Sequence, residues 1–329
     1  MRQKLSLVLA IFVVAAAHGQ TPTRVGIIGC DTSHVPAFTK LLNNAPADSP
    51  LGGFKVVAAF PGGSKDYKPS YTRVEMFTEQ LRKDYGVEIV KSIEELVSKV
   101  DVVLLESVDG RPHLEQVIPV LKAGKRCFID KPVAASLADA IQIFELSKKY
   151  NTPVFSSSSL RFSSNIENLR KDEKLGSVLG IVVHSPCEYG EFHPDLFWYG
   201  IHGVEAMFAI MGPGCKTVSR VHTPDADVVT GVWKDGRIAT YRGVRKGNKG
   251  YGAYVFGSKS NGPADISAKE GYRLLLEEIC KFFKTGIPPV SPTETIEVIA
   301  FMEAADESKR LNGAPVHIDD IIQKASKRK

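Results

Sequence analysis

A chain of 329 residues is too long for one ordinary core and about right for two domains. Hydrophobic residues at 43% and charged residues at 24% exclude a disordered or fibrous protein. The net charge of +5 is modest, and its densest runs, Arg242 to Lys246 and Lys324 to Lys329, lack the interleaved aromatics of a nucleic-acid face, so no nucleic-acid partner is expected.

The first residues bear on the compartment. Met1-Arg2-Gln3-Lys4 is basic, Leu5 to Ala17 is apolar, and Ala17-His18-Gly19 supplies small residues at a cleavage position. This pattern predicts a signal peptide over 1–19, removed before Gln20, and a periplasmic or secreted mature protein. The apolar run is shorter than the roughly 20 residues that span a bilayer, so no membrane association is expected after cleavage. Five scattered cysteines (Cys30, Cys127, Cys187, Cys215 and Cys280) predict buried thiols, not a disulfide framework. No C-x-x-C occurs, the His184, Cys187 and His193 set is loosely spaced, and no metal site is expected.

Short apolar strands are predicted at Arg24–Gly29, Phe54–Ala59, Asp101–Leu105, Arg126–Ile129 and Pro153–Phe155. Helical patterns alternate with them at Pro36–Asn43, Val74–Asp84, Ile93–Ser98, His113–Ala123 and Leu137–Tyr150. The alternation predicts an α/β unit over 23–158, a Rossmann-type parallel sheet. After Leu160 the strands alternate in polarity: Leu179–His184, Thr217–His222, Asp227–Trp233, Arg237–Gly243 and Gly252–Phe256. Asp235-Gly236 marks a hairpin turn. With helices at Ile201–Met211, Gly271–Thr285 and Pro292–Leu311, residues 159–329 are predicted to be an α+β domain with a mostly antiparallel open sheet.

Four stretches, in order, cover nearly the whole mature chain: Val25-Gly-Ile-Ile-Gly29; His113 to Lys125 running into Asp130-Lys131-Pro132; Gly200-Ile-His202 with Glu205; and Tyr272 to Asn312 ending in Ala314-Pro-Val-His-Ile318. Together they resemble the glucose–fructose oxidoreductase / inositol dehydrogenase (Gfo/Idh/MocA) family. The resemblance implies hydride transfer between NAD or NADP and a sugar or glycoside hydroxyl, in a pocket between two domains. It also implies a homo-oligomer formed through the C-terminal sheet. It places Lys131 beside the nicotinamide and makes His202 the group that takes the hydroxyl proton, chemistry suited to a desolvated amine and an imidazole. By the same resemblance the cofactor lies against Gly26, Gly29, Asp31, Ser33, His34, Ser107, His113, Asp130 and Lys131. The carbohydrate is expected against Trp198 and Tyr199, with Arg161 either contacting it or bridging the domains, and Glu205 either touching a sugar hydroxyl or standing as a helix surface charge.

The chain departs from the dinucleotide fingerprint G-x-G-x-x-G, reading Gly29-Cys30-Asp31-Thr32-Ser33-His34. A carboxylate at Asp31 is expected to face the diphosphate space and weaken dinucleotide binding. Asp31, Thr32 or Ser33 also offers a cap for the following helix. The second strand runs into Phe60-Pro61-Gly62-Gly63-Ser64, with no carboxylate for the ribose before Asp66. Two other readings therefore stay open. One is non-redox acid–base chemistry on a carbohydrate by Asp31, His34, Asp109, His113 or Lys131. The other is a silent carbohydrate-binding protein with Phe197, Trp198 and Tyr199 as its stacking platform.

Overall fold

The computed structural model describes residues 21–327; the signal peptide expected over 1–19 lies outside the described residues. The first half runs β1 (Thr23–Ile28), α1 (His34–Asn43), β2 (Phe54–Phe60), α2 (Lys68–Tyr71), α3 (Val74–Tyr85) and β3 (Glu88–Ile89). It continues with α4 (Ile93–Lys99), β4 (Val102–Leu105), α5 (His113–Lys122), β5 (Arg126–Ile129), α6 (Leu137–Lys149) and β6 (Val154–Phe155). These six strands form one parallel sheet in the order β3-β2-β1-β4-β5-β6. Every residue of β4 is buried, as is required of a central strand covered on both faces. The order reverses between β1 and β4, which puts a crevice at their carboxyl ends.

A 3₁₀ turn (Ser159–Phe162) and α7 (Ser164–Arg170) lead into the second half. There follow β7 (Val178–Pro186), α8 (Ile201–Met211), β8 (Cys215–Thr223), β9 (Ala226–Trp233), β10 (Ile238–Val244), β11 (Gly252–Gly257) and β12 (Asn261–Asp265). The chain closes with α9 (Arg273–Thr285), α10 (Pro292–Arg310), β13 (Val316–His317) and α11 (Ile318–Ser326). Their seven-stranded sheet has the order β12-β11-β7-β10-β9-β8-β13 and is antiparallel except where β10 pairs with β7. The turn between β9 and β10 is the Asp-Gly hairpin: Gly236 has φ +89° and Asp235 accepts the Arg237 N–H.

The last helices tie the halves together. Leu276, Ile279 and Phe282 of α9 pack under the first sheet with Val25, Phe38 and Phe155, and the Phe155 and Phe282 rings are 4.9 Å apart. Phe301 of α10 packs instead on Phe208 of α8, below the second sheet. Serine caps fix the starts of α4, α6 and α10, where Ser92, Ser136 and Ser291 accept the N–H groups of Glu95, Asp139 and Glu294. All five cysteines are free and buried.

Candidate active site

A cleft of about 450 Å³ opens at the carboxyl ends of β1, β4 and β5, and its far wall comes from the second half. Thr32, Ser33, His34, Val108, Asp130 and Lys131 line one side, and Trp198, Tyr199, His202, Tyr251 and Tyr272 the other. A second hollow, about 510 Å³ between α6 and Pro292, has a largely apolar lining and lies away from these strand ends.

Lys131 follows β5, and its bond to Pro132 is cis. Its Nζ donates to the Trp198 carbonyl at 3.3 Å and sits 5.5 and 5.7 Å from the Trp198 and Tyr199 ring centres. Burial drives this amine below its usual range against the pull of Asp130, and the Arg73 charge adds to the fall. His202, in the first turn of α8, has Nδ1 2.7 Å from the Ser158 hydroxyl. Burial, then the Lys131 charge, holds it well below the usual imidazole range, so it is neutral at pH 7.

His34 stands on the cleft floor with Nδ1 2.8 Å from Asp130 and 3.6 Å from Glu106. Burial disfavours its charge, but the two carboxylates outweigh that and raise it to about 10. Burial pushes Glu106 up to about 7, whereas the His34 charge holds Asp130 below the carboxylate range despite burial.

The other expected site residues fall elsewhere. Gly26 lies inside β1, where an added Cβ would crowd Val100 and Leu96. Gly29 has φ +86° and no room for a Cβ against the Ser107 backbone, so its role is close approach of β1 to β4. Ser107 donates to Gln116, and both His113 ring nitrogens meet backbone carbonyls, those of Val133 and Ser107. Arg161 and Glu205, expected to touch substrate, bind each other at 2.6 Å; Arg161 also binds Glu294, and none of the three lines the cleft. Phe197, expected in a stacking platform, is core.

Asp31 corrects the reading of its loop. Its carboxylate does not face open space: it is fully buried, accepts from Ser70 Oγ at 2.5 Å and from the Val108 N–H at 2.8 Å, and is raised chiefly by burial. Nor is α1 capped by a side chain; Ser33 makes no cap hydrogen bond. Sequence reasoning missed Glu106, although a carboxylate ending an all-apolar strand was a usable signal. It also missed Arg73, Tyr251 and Tyr272, which only the tertiary fold brings to the cleft.

A Rossmann-type sheet with a lysine at a strand end thus faces, across one cleft, a histidine on a helix of the second half. Residues 23–158 match the family model GFO_IDH_MocA, described as the oxidoreductase family with an NAD-binding Rossmann fold. That match covers the first half of the chain, which is similar to the nucleotide-binding domain of the Gfo/Idh/MocA family. The chain is similar to myo-inositol 2-dehydrogenase of Thermotoga maritima, 28% identical over an alignment of 213 residues, with 56% of this chain and 64% of that protein covered. The match thus spans less than two thirds of that curated relative. In fold it resembles scyllo-inositol dehydrogenase of Lactobacillus casei, solved with NAD(H) and scyllo-inositol (TM-score 0.74, 14% identity, 91% of this chain and 99% of that one). Myo-inositol 2-dehydrogenase of Lactobacillus plantarum is similar too (TM-score 0.73, 16% identity, 90% and 99%).

The family's description implies a nicotinamide dinucleotide, and part of the cleft fits one. The uncapped start of α1 faces the cleft, as does Arg73, whose Nη2 is buried without a hydrogen-bond partner. Positive charge and a helix N-terminus suit a diphosphate. Beyond β2 the path is covered. Pro61 O accepts the Cys30 N–H, Ser64 donates to Asp109 at 2.6 Å, and Asp66 pairs with Arg111 at 2.9 Å. Tyr67 is buried with its ring 5.4 Å from Trp198 and 5.6 Å from His193. The residues present therefore fit a diphosphate, and the segment 61–71 folds across the space beyond β2.

Proposed function

We propose that this chain is an oxidoreductase acting on a hydroxyl group of a small polyol or sugar, with NAD(P) as hydride partner. Residues 23–158 serve as the nucleotide-binding domain and 159–329 as the substrate domain. The observation that carries the reading is the meeting of Lys131 and His202, one from each half, in a single cleft beside Trp198 and Tyr199. The inositol dehydrogenases it resembles support the substrate class.

When bound against Thr32, Ser33 and Arg73, the dinucleotide supplies hydride acceptance. The chain's own residues do the rest. His202 is neutral, and with Nδ1 held by Ser158, Nε2 is the atom that takes the hydroxyl proton. Lys131 donates a hydrogen bond to the same oxygen, and its lowered affinity for protons suits it to share in the transfer. The faces of Trp198 and Tyr199 offer apolar contact to a sugar ring. A panel of inositols and other polyols with NAD⁺ or NADP⁺, followed by formation of the reduced nicotinamide, tests the reading. Turnover lost in Lys131→Ala and His202→Ala is expected; polyol binding by calorimetry with no reduction of either cofactor overturns it.

Two accompanying readings belong here. Leu179, Val182, Tyr254 and Phe256 are exposed on β7 and β11, which supports pairing of two copies through the seven-stranded sheet. Sedimentation of a dimer that Val182→Asp turns into a monomer would bear this out. The sequence of residues 1–19 supports export, and N-terminal sequencing of mature protein beginning near Gln20 would test it.

A further inference from the structure

Three side chains from three strand ends converge at the cleft floor: His34 at the start of α1, Glu106 after β4 and Asp130 after β5. One ligand atom from each lies within 4.8 Å of the other two. Nδ1 of His34 is 2.8 Å from Asp130 Oδ2, an ion pair that accounts for one carboxylate. The other is held less closely: Glu106 is fully buried, its Oε2 stands 3.6 Å from the same Nδ1, beyond hydrogen-bond distance, and neither of its oxygens has a hydrogen-bond partner. A buried carboxylate is costly unless something completes its surroundings, and an orphaned group in a native fold calls for a cause.

We propose that His34, Glu106 and Asp130 form a binding site for one divalent transition-metal ion. One imidazole nitrogen and two carboxylates suit Zn²⁺, Mn²⁺ or Fe²⁺, whereas Mg²⁺ and Ca²⁺ favour all-oxygen sets. A divalent ion held by a neutral imidazole and two carboxylates leaves the buried set without net charge. The surroundings hold the ligands in place. The His34 ring is packed by Phe38 at 5.3 Å and Tyr272 at 4.4 Å, and Asp130 Oδ1 accepts the Lys131 N–H at 2.8 Å, which leaves Oδ2 for the ion. His34 and Asp130 line the cleft, so the open coordination positions face the space shared by Lys131 and His202. The ligand such an ion takes there is a hydroxyl or carbonyl oxygen of a small molecule. The histidine stands where the dinucleotide fingerprint has its last glycine. The site does not depend on the hydride-transfer reading.

The test uses the full mature chain, stripped with EDTA and titrated separately with ZnCl₂ and MnCl₂ in calorimetry and thermal melting, without substrate or dinucleotide. One ion per chain at micromolar or tighter affinity is expected, with a rise in melting temperature. Glu106→Gln, which keeps shape and removes charge, and His34→Ala should each weaken binding at least about tenfold. No saturable binding of either ion overturns the proposal, and so does binding that both variants retain. Because the readout is binding alone, a failure of turnover on polyols leaves this result unaffected.

Discussion

Nζ of Lys131 donates a 3.3 Å hydrogen bond to the carbonyl oxygen of Trp198, so the end of β5 is tied to the loop before α8 across the mouth of the cleft. The amine thereby faces the space where a substrate oxygen would meet His202. Lys131→Ala and His202→Ala are each expected to lower kcat by about 10²–10⁴ while circular dichroism stays unchanged. Lys131→Arg should not restore the rate, since a guanidinium keeps its proton and cannot share in its transfer. A change confined to KM in all three would mean that these groups only bind.

Much of this cleft was legible in the sequence. Lys131 and His202 sit at motif positions, and brief apolar strands alternating with helices gave away the parallel sheet. What stayed hidden depends on distance in space. Glu106 and Asp130 are 24 residues apart and His34 is 72 residues before Glu106, so no local spacing marks them as a cluster. Arg161 and Glu205 read as substrate residues because polar groups near a motif invite that reading. Only the fold shows that they neutralise each other beside Glu294. Asp31 looked like a charge in the diphosphate space because nothing in sequence links it to Ser70, 39 residues on. The strands β3, β12 and β13 escaped because none is an apolar run: β3 is Glu88-Ile89, β13 is Val316-His317, and β12 reads Asn261-Gly-Pro-Ala-Asp265.

The Arg161 triad gives a contrast with the cleft. Replacing Arg161 by Met leaves Glu205 buried opposite Glu294 with no cation between them. Removing one partner of a buried pair costs about 3–5 kcal/mol. Urea unfolding should therefore show a large drop in stability, with KM for the substrate unchanged at temperatures where the variant is folded. A KM effect without loss of stability would return Arg161 to the substrate site.

His193 makes the closed arrangement sensitive to acid. Its Nε2 accepts the Gly110 N–H at 3.1 Å, which requires a neutral ring, and burial, partly offset by Asp109, lowers it to about 4. The unfolded side chain titrates near 6.5. A depressed value means the stabilisation is fully present above 6.5 and is lost as pH falls from there through about 4. Protection factors for hydrogen exchange at Gly110 and around Tyr67, which remove the intrinsic pH dependence, should fall as pH drops across that window, and His193→Gln should flatten the dependence. A fall of equal size in the variant would assign the effect to other groups.

The segment 61–71 is expected to limit how much dinucleotide the cleft admits. Two kinds of contact hold it down, and they differ in strength. The Asp66–Arg111 pair is solvent-exposed at 61% and 33%, and such pairs contribute about 0–1 kcal/mol. The Ser70 hydroxyl donates to the buried Asp31 carboxylate at 2.5 Å, a hydrogen bond to a charged group of about 1.5–3 kcal/mol. If the segment must lift before the adenosine end of NAD⁺ can enter, the apparent affinity scales with the fraction of open molecules. At 1.4 kcal/mol per decade, Ser70→Ala should tighten NAD⁺ binding by about ten- to a hundredfold, and Asp66→Asn, which spares the pairing of Arg111 with buried Asp109, by severalfold at most. Calorimetry of the three proteins, with hydrogen exchange over 61–71 as the structural readout, tests the ranking. Faster exchange in Ser70→Ala with no gain in affinity would show that the segment opens without gating the dinucleotide, and would place the limit on binding in the remodelled glycine loop itself.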